Sequence, residues 1–252
     1  MLNYIEYGTR SEKPDLMIVH GLYGSGRNWS AIGKRLGLER RVISVDQRNH
    51  GDSPRFDTHS YEDMAGDLAE VIAAQDGPID VLGHSMGGKA AMVLALTRPE
   101  LVNRLIVADI APVAYAHDQT RHIQSMRDLD LSQVEKRSDA VAQLAESVDD
   151  PALRSFFTQS LDVARKRWKL NLDVLEAEMP KIIGFPDITG QYEGPTLFLS
   201  GANSDYMKSE YRPTIRKFFP QARFAKLNDA GHWLHAEQPR AFIASVQAWL
   251  DR

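Results

Sequence analysis

The stretch Ile79-Asp80-Val81-Leu82-Gly83-His84-Ser85-Met86-Gly87-Gly88-Lys89-Ala90-Ala91-Met92, "IDVLGHSMGGKAAM", decides the fold. Its opening is a short apolar run that reads as a buried strand. Its Ala- and Met-rich end reads as a helix. Only a sharp turn fits between them, and that turn holds Ser85 with Gly83 and Gly87 two positions to either side. Glycines at those places remove side chains that would collide with neighbouring backbone. A serine held there projects its hydroxyl out of a strained strand-to-helix bend. The bare G-x-S-x-G spacing arises by chance in roughly one chain of this length in ten. The strand before it and the helix after it make it specific.

Working outward, similar runs recur at 16–19 (LMIV), 42–45 (VISV), 105–110 (LIVADI) and 196–200 (TLFLS). They are continuous rather than alternating, as in parallel strands covered on both faces. The stretch 223–227 (RFAKL) alternates more and is expected nearer an edge. Helical patterns lie between these runs. Ser60 and Asp63 have capping-box spacing ahead of Met64, Leu68, Val71 and Ile72. The C-terminal pattern starts at Pro239 and presents Phe242, Val246, Trp249 and Leu250 on one side. Alternating strands and helices predict a doubly wound α/β sheet.

The alternation fails from about 112 to 185. That segment shows no convincing strand and several amphipathic pieces, one with Ser132 and Glu135 as a cap pair. Helices inserted there predict a cap over the carboxyl ends of the strands, where ligands of such sheets bind. The expected division is a core of 1–111 and 186–252 with a helical cap of 112–185. Phe156, Phe157 and Trp168 are candidates for lining an acyl pocket beneath it, or equally for packing inside the cap.

The bulk composition is ordinary. The chain has 252 residues, 43% hydrophobic and 25% charged, with a net charge of -4 and no cysteine. A disulfide framework, a thiolate nucleophile and a Cys-ligated zinc site are therefore excluded. No basic stripe marks a nucleic-acid surface. No apolar run approaches the roughly 18–20 residues of a membrane span, and the start lacks a secretory pattern. The expectation is a cytoplasmic protein. Its oligomeric state is not legible.

A nucleophilic serine needs a base. His232 stands in a loop after the last strand-like run and before the C-terminal helix, within reach of the sheet's carboxyl edge. His235 is its rival, and no carboxylate cluster makes the two a metal site. His20, His50 and His84 read as hydrogen-bonded loop anchors. His59, His117 and His122 have no assigned role. The acid should follow the serine in the chain. Asp109 and Asp205 each follow a strand, and spacing leaves both open. Asp46 precedes the serine and is expected to fix its own loop. The N–H of Met86, at a helix start, and that of Leu22, in the His20–Gly24 loop, are the candidate oxyanion donors. Lys89 lies one helical turn beyond Ser85. It can attract an anionic head such as a phosphate of coenzyme A, though a pair with a nearby carboxylate is the plainer expectation.

Taken together, VHGLYGS, DQRNHGDSP, GHSMGGKA, DIAPV, GANSDYM and AGHWLHAE resemble the α/β-hydrolases over nearly the whole chain. More narrowly they resemble the small YbfF-type esterases and their abhydrolase-domain relatives. The resemblance implies an α/β-hydrolase fold, a doubly wound mostly parallel sheet with a helical cap inserted after the sixth strand. It implies serine-dependent hydrolysis of small-molecule carboxylic esters or acyl thioesters, with no cofactor and no metal. It also selects Asp109 as the triad acid, whereas Asp205 sits where most other α/β-hydrolases keep theirs. Ser204 beside it is a candidate support for the imidazole. Carbon–carbon bond hydrolysis or perhydrolysis would use the same residues. A ligand-binding module retaining them is a third reading.

Overall fold

The computed structural model describes residues 1–117 and 119–252. Seven strands form one sheet: β1 (Tyr4–Tyr7), β2 (Leu16–Val19), β3 (Val42–Val45), β4 (Ile79–His84), β5 (Val102–Ala108), and the later strands Thr196–Gly201 and Ala222–Leu227. A two-strand hairpin, β6 (Leu161–Asp162) and β7 (Arg167–Trp168), precedes those last two, which are therefore β8 and β9. The sheet order is β1-β3-β2-β4-β5-β8-β9. Every pairing is parallel except that of β1 with β3. Strands β2, β3, β4 and β8 are buried along their whole length, which explains their continuous apolar sequences. β9 lies at an edge and alternates, as expected.

Helices cover both faces: α1 (Ser30–Leu36), α2 (Tyr61–Ala73) and α3 (Met86–Thr97) come before the insertion. Alternate residues of one strand feed opposite cores. Met17 and Val19 of β2 pack with Met64, Leu68 and Val93 of α2 and α3, while Leu16 and Ile18 pack with Trp29, Ile32 and Leu36. Ser60 caps α2 by accepting from Asp63 N at 3.1 Å.

The segment after β5 carries α4 (Thr120–Arg127), α5 (Arg137–Leu144), α6 (Pro151–Gln159), the β6–β7 hairpin, α7 (Leu172–Ala177) and α8 (Met179–Ile183). It leaves the sheet after the fifth strand in chain order rather than the sixth, because a single strand, the antiparallel β1, precedes β2 among the described residues. Ser132 and Glu135 do not cap a helix. Ser132 belongs to a 3-10 turn held by Asp130, and the helix starts at Arg137, where Asp139 accepts from the Glu135 and Lys136 amides. The small hairpin was not expected from the sequence, since two residues per strand make no periodic pattern. The chain returns through β8, α9 (Arg212–Phe218) and β9 to α10 (Leu234–Glu237) and α11 (Pro239–Leu250). Phe242, Val246, Trp249 and Leu250 are the buried residues of α11, and they join the Trp29 core. Among the described residues no helix is long and apolar enough to cross a membrane.

Candidate active site

Ser85 sits between β4 and α3 at φ 54°, ψ −123°. A side chain on Gly83 would place its Cβ 2.3 Å from Gly87 O, and one on Gly87 would lie 2.4 Å from His20 O. Both distances are far inside contact, so only glycine lets β4 and α3 approach this closely. The bend turns the Ser85 hydroxyl toward a loop about 150 residues later in the chain. There His232 Nε2 lies 3.0 Å from Ser85 Oγ. The other ring nitrogen, Nδ1, is 2.8 Å from Asp109 Oδ2. A carboxylate only accepts, so Nδ1 carries the hydrogen and Nε2 is free to accept from the serine.

Asp109 follows β5 directly, also in left-handed backbone, at φ 53°. It is 1% exposed. Its Oδ1 accepts from Gly201 N at 3.0 Å, and its Oδ2 also accepts from the Ser204 hydroxyl. Ser204 therefore supports the carboxylate rather than the imidazole. Asp205 is exposed, and its carboxylate makes no hydrogen bond or ion pair among the described residues. The structure brings Asp109, not Asp205, to His232. The ring of Tyr206 stacks on His232 with centroids 3.8 Å apart and planes at 18°. Burial pushes the Tyr206 phenol up to about 12, so the stacked ring stays neutral.

Leu22 and Met86 are both at the cavity beside Ser85. Met86 is the first residue of α3, so its N–H has no acceptor inside the helix. Leu22 lies in a loop pinned on either side. Gly24 N donates to Gly21 O at 3.1 Å, and Tyr23 N donates to His50 Nε2 at 3.2 Å. Gln47 N donates to His20 Nε2 at 3.0 Å, leaving His20 Nδ1 to donate to Gly21 O at 2.8 Å. His50 and His20 are thus neutral loop anchors. Burial is the largest cause that lowers them, to about 3 and about 4. His84 is a third anchor: its Nε2 donates to His232 O at 2.9 Å and so holds the backbone of that loop. His235 packs flat on Trp29, centroids 4.2 Å apart, and burial lowers it to about 3. It does not approach Ser85. Asp46 binds more than its own loop, accepting from Gly26 N, Asp52 N and Asn3 Nδ2 at 2.7–2.9 Å.

A cavity of about 300 Å³ opens onto Ser85 between the sheet edge and the segment after β5. Phe156 and Phe157 line it, as do His117 and His122, whose positions the sequence did not reveal. Trp168 does not; its Nε1 donates to Met126 O at 2.9 Å inside the helical segment. Lys89 lines the cavity but pairs with no carboxylate among the described residues. Its ammonium donates instead to the carbonyls of Ile183, at 2.9 Å, and Gly184. Among the described residues no group of three or more His, Cys, Asp or Glu side chains could hold a metal ion.

The family model for the alpha/beta hydrolase fold matches residues 14–239. The chain belongs to the α/β-hydrolase family. Among curated proteins, this hydrolase is 40% identical over 251 residues to the sn-1-specific diacylglycerol lipase ABHD11 of Mus musculus, covering 94% of this chain and 81% of that one. It is 34% identical over 240 residues to the esterase YbfF of Escherichia coli, covering 94% and 92%. Among solved structures, a marine microorganism esterase superposes with a TM-score of 0.91 at 38% identity, covering 98% of both chains. The hydrolase is thus an enzyme of the esterase and lipase type.

Proposed function

We propose that this hydrolase cleaves carboxylic esters through an acyl-enzyme on Ser85, with His232 as general base and Asp109 as its orienting acid. One observation carries the reading: a serine oxygen, both imidazole nitrogens and a buried carboxylate follow one another at 3.0 and 2.8 Å. His232 takes the serine proton as Oγ attacks the acyl carbonyl. Asp109 keeps the ring in the attacking tautomer and stabilises the imidazolium that forms. The N–H groups of Leu22 and Met86 receive the negative charge that develops on the carbonyl oxygen. His232 then returns the proton to the departing alkoxide, the C–O bond breaks, and the alcohol leaves. Water, deprotonated by the same imidazole, attacks the acyl-enzyme, and the acid departs as Ser85 recovers its proton.

The segment 112–185 acts in this reading as a cap that supplies Phe156 and Phe157 to an apolar acyl site. The names of two relatives, a diacylglycerol lipase and an esterase, support ester substrates. Acyl thioesters, including those of coenzyme A, form a second class open to the same attack. The decisive test is steady-state hydrolysis of p-nitrophenyl esters and acyl-coenzyme A thioesters of rising chain length. Sustained turnover by the wild type should fall about 10⁶-fold in kcat in Ser85→Ala, the size seen when a serine nucleophile is removed. Stoichiometric binding without turnover would instead make the chain a binding module.

A further inference from the structure

Lys89 is the buried cation that the proposed reaction does not use. It is 1% exposed, stands in the first turn of α3 four residues after Ser85, and lines the same cavity as that serine. Its surroundings are arranged to accept positive charge. Two carbonyl oxygens at the end of α8 receive N–H donors, and the Tyr115 ring centre lies 4.8 Å from Nζ. An ammonium has three donors, so one remains. Even so, burial lowers this group to about 7, because no anion compensates it. The rest of the cavity shows the same imbalance. Its described lining holds Lys89 and Arg121 and not one Asp or Glu. Arg121 is exposed and its guanidinium makes no hydrogen bond or ion pair among the described residues.

We infer that Lys89 forms an anion subsite in the buried part of the cavity, and that the enzyme takes esters whose acyl chain ends in a carboxylate. The inference rests on the reading of Ser85 as nucleophile. The charge belongs on the acyl side for a geometric reason. The leaving alcohol must exit through the open rim, whereas Lys89 and Tyr61 line the cavity yet are nearly without exposure, which puts them in its buried part. The group that reaches them is the one retained on the serine. Arg121, exposed and without an ionic partner among the described residues, draws the anion in.

The test uses the monoethyl esters of succinate, glutarate and adipate, each beside its neutral isostere with the carboxylate replaced by a carboxamide. The readout is kcat/KM from ethanol release in wild type, Lys89→Met and Arg121→Gln. The wild type should favour the carboxylate at least tenfold at one chain length. That ratio should fall to about one or below in Lys89→Met, and two- to fivefold in Arg121→Gln at low salt. A wild-type ratio under ten at every length, or a ratio that survives in Lys89→Met, overturns the inference. Should Lys89→Met fail to fold, competition of each pair against p-nitrophenyl butyrate in the wild type decides by the same tenfold criterion. Ser85-dependent turnover of p-nitrophenyl butyrate with no charge preference would sink the subsite and leave the esterase reading intact. Absence of Ser85-dependent turnover on any ester removes both.

Discussion

Two aspartates, on neighbouring strands at opposite ends of the sheet, are buried almost completely. Asp80 is the second residue of β4 and is fully buried, whereas Asp109 follows β5. Asp80 faces a permanent charge: Arg40 Nη1 is 2.9 Å from one oxygen and Asn103 Nδ2 is 2.7 Å from the other. Burial still pushes its carboxyl up, against the pull of both partners. Asp109 has no cation beside it, only an amide, a hydroxyl and an imidazole. The amino end of the sheet is thus closed by a fixed ion pair. At the carboxyl end Asp46 is buried and Arg48 pairs with Asp67 at 2.6 Å, but Asp109 itself meets an imidazole rather than a fixed cation, and its electrostatic partner appears only when His232 takes up a proton. A buried ion pair holds position but cannot change; a carboxylate beside a neutral ring leaves room for charge to form in a transition state.

Exchanging each acid for a neutral side chain should separate these roles. Asp109→Asn is expected to lower kcat on the order of 10⁴-fold, as loss of the acid does in serine triads, with the fold retained by circular dichroism. Equal or larger loss in Asp205→Asn would overturn the contrast. Asp80→Ala should do the reverse. It leaves the buried Arg40 with only the part-exposed Asp251 as its ionic partner, at 3.1 Å, costing up to about 3 kcal/mol in denaturant unfolding, while kcat of the folded fraction stays within about threefold of wild type.

Acid should strike the carboxyl end first. His20, His50, His84 and His235 are held below the usual 6.5, mainly by burial. Below pH 6.5 the unfolded chain therefore binds protons that the folded chain refuses. Stability is complete above 6.5 and is lost as pH falls toward 4 and 3. The loss between pH 7 and 5.5 should be on the order of 1 kcal/mol for each ring. Hydrogen exchange at pH 5.5 should show the loops at 20–24, 46–53 and 231–236 opening before the strand starts near Arg40 and Asp80. Uniform loss of protection would blunt the comparison. The smallest effect is expected for Asp205→Asn, under threefold in kcat, because that carboxylate is exposed and touches neither His232 nor Ser85.

Much of this architecture could be read from local pattern. Continuous apolar runs marked the strands that are buried on both faces. Glycine spacing marked the bend at Ser85. The loop between β9 and α10 marked the base. The edge strand β1 escaped because Tyr4-Ile5-Glu6-Tyr7 is only partly buried and is no continuous apolar run, and the hairpin β6–β7 because two-residue strands carry no period. Lys89 was expected to find a carboxylate. Helical spacing placed it one turn from Ser85, but α8, nearly a hundred residues later, supplies its carbonyl partners.

The sequence by itself determined that a serine hydroxyl would be forced out of a strand-to-helix bend, since Gly83 must clear the Gly87 backbone only four residues on, although the clash that requires glycine at 87 comes from the distant His20 carbonyl. It also limited the acid to two aspartates at strand ends. Only the tertiary structure decided between them. The parallel register sets Ala108 of β5 against Leu199 of β8, which puts Asp109 beside Gly201 N and Ser204 and beneath His232. Register is a property of strands packed side by side, and partners 95 and 123 residues from Asp109 meet it through that packing alone.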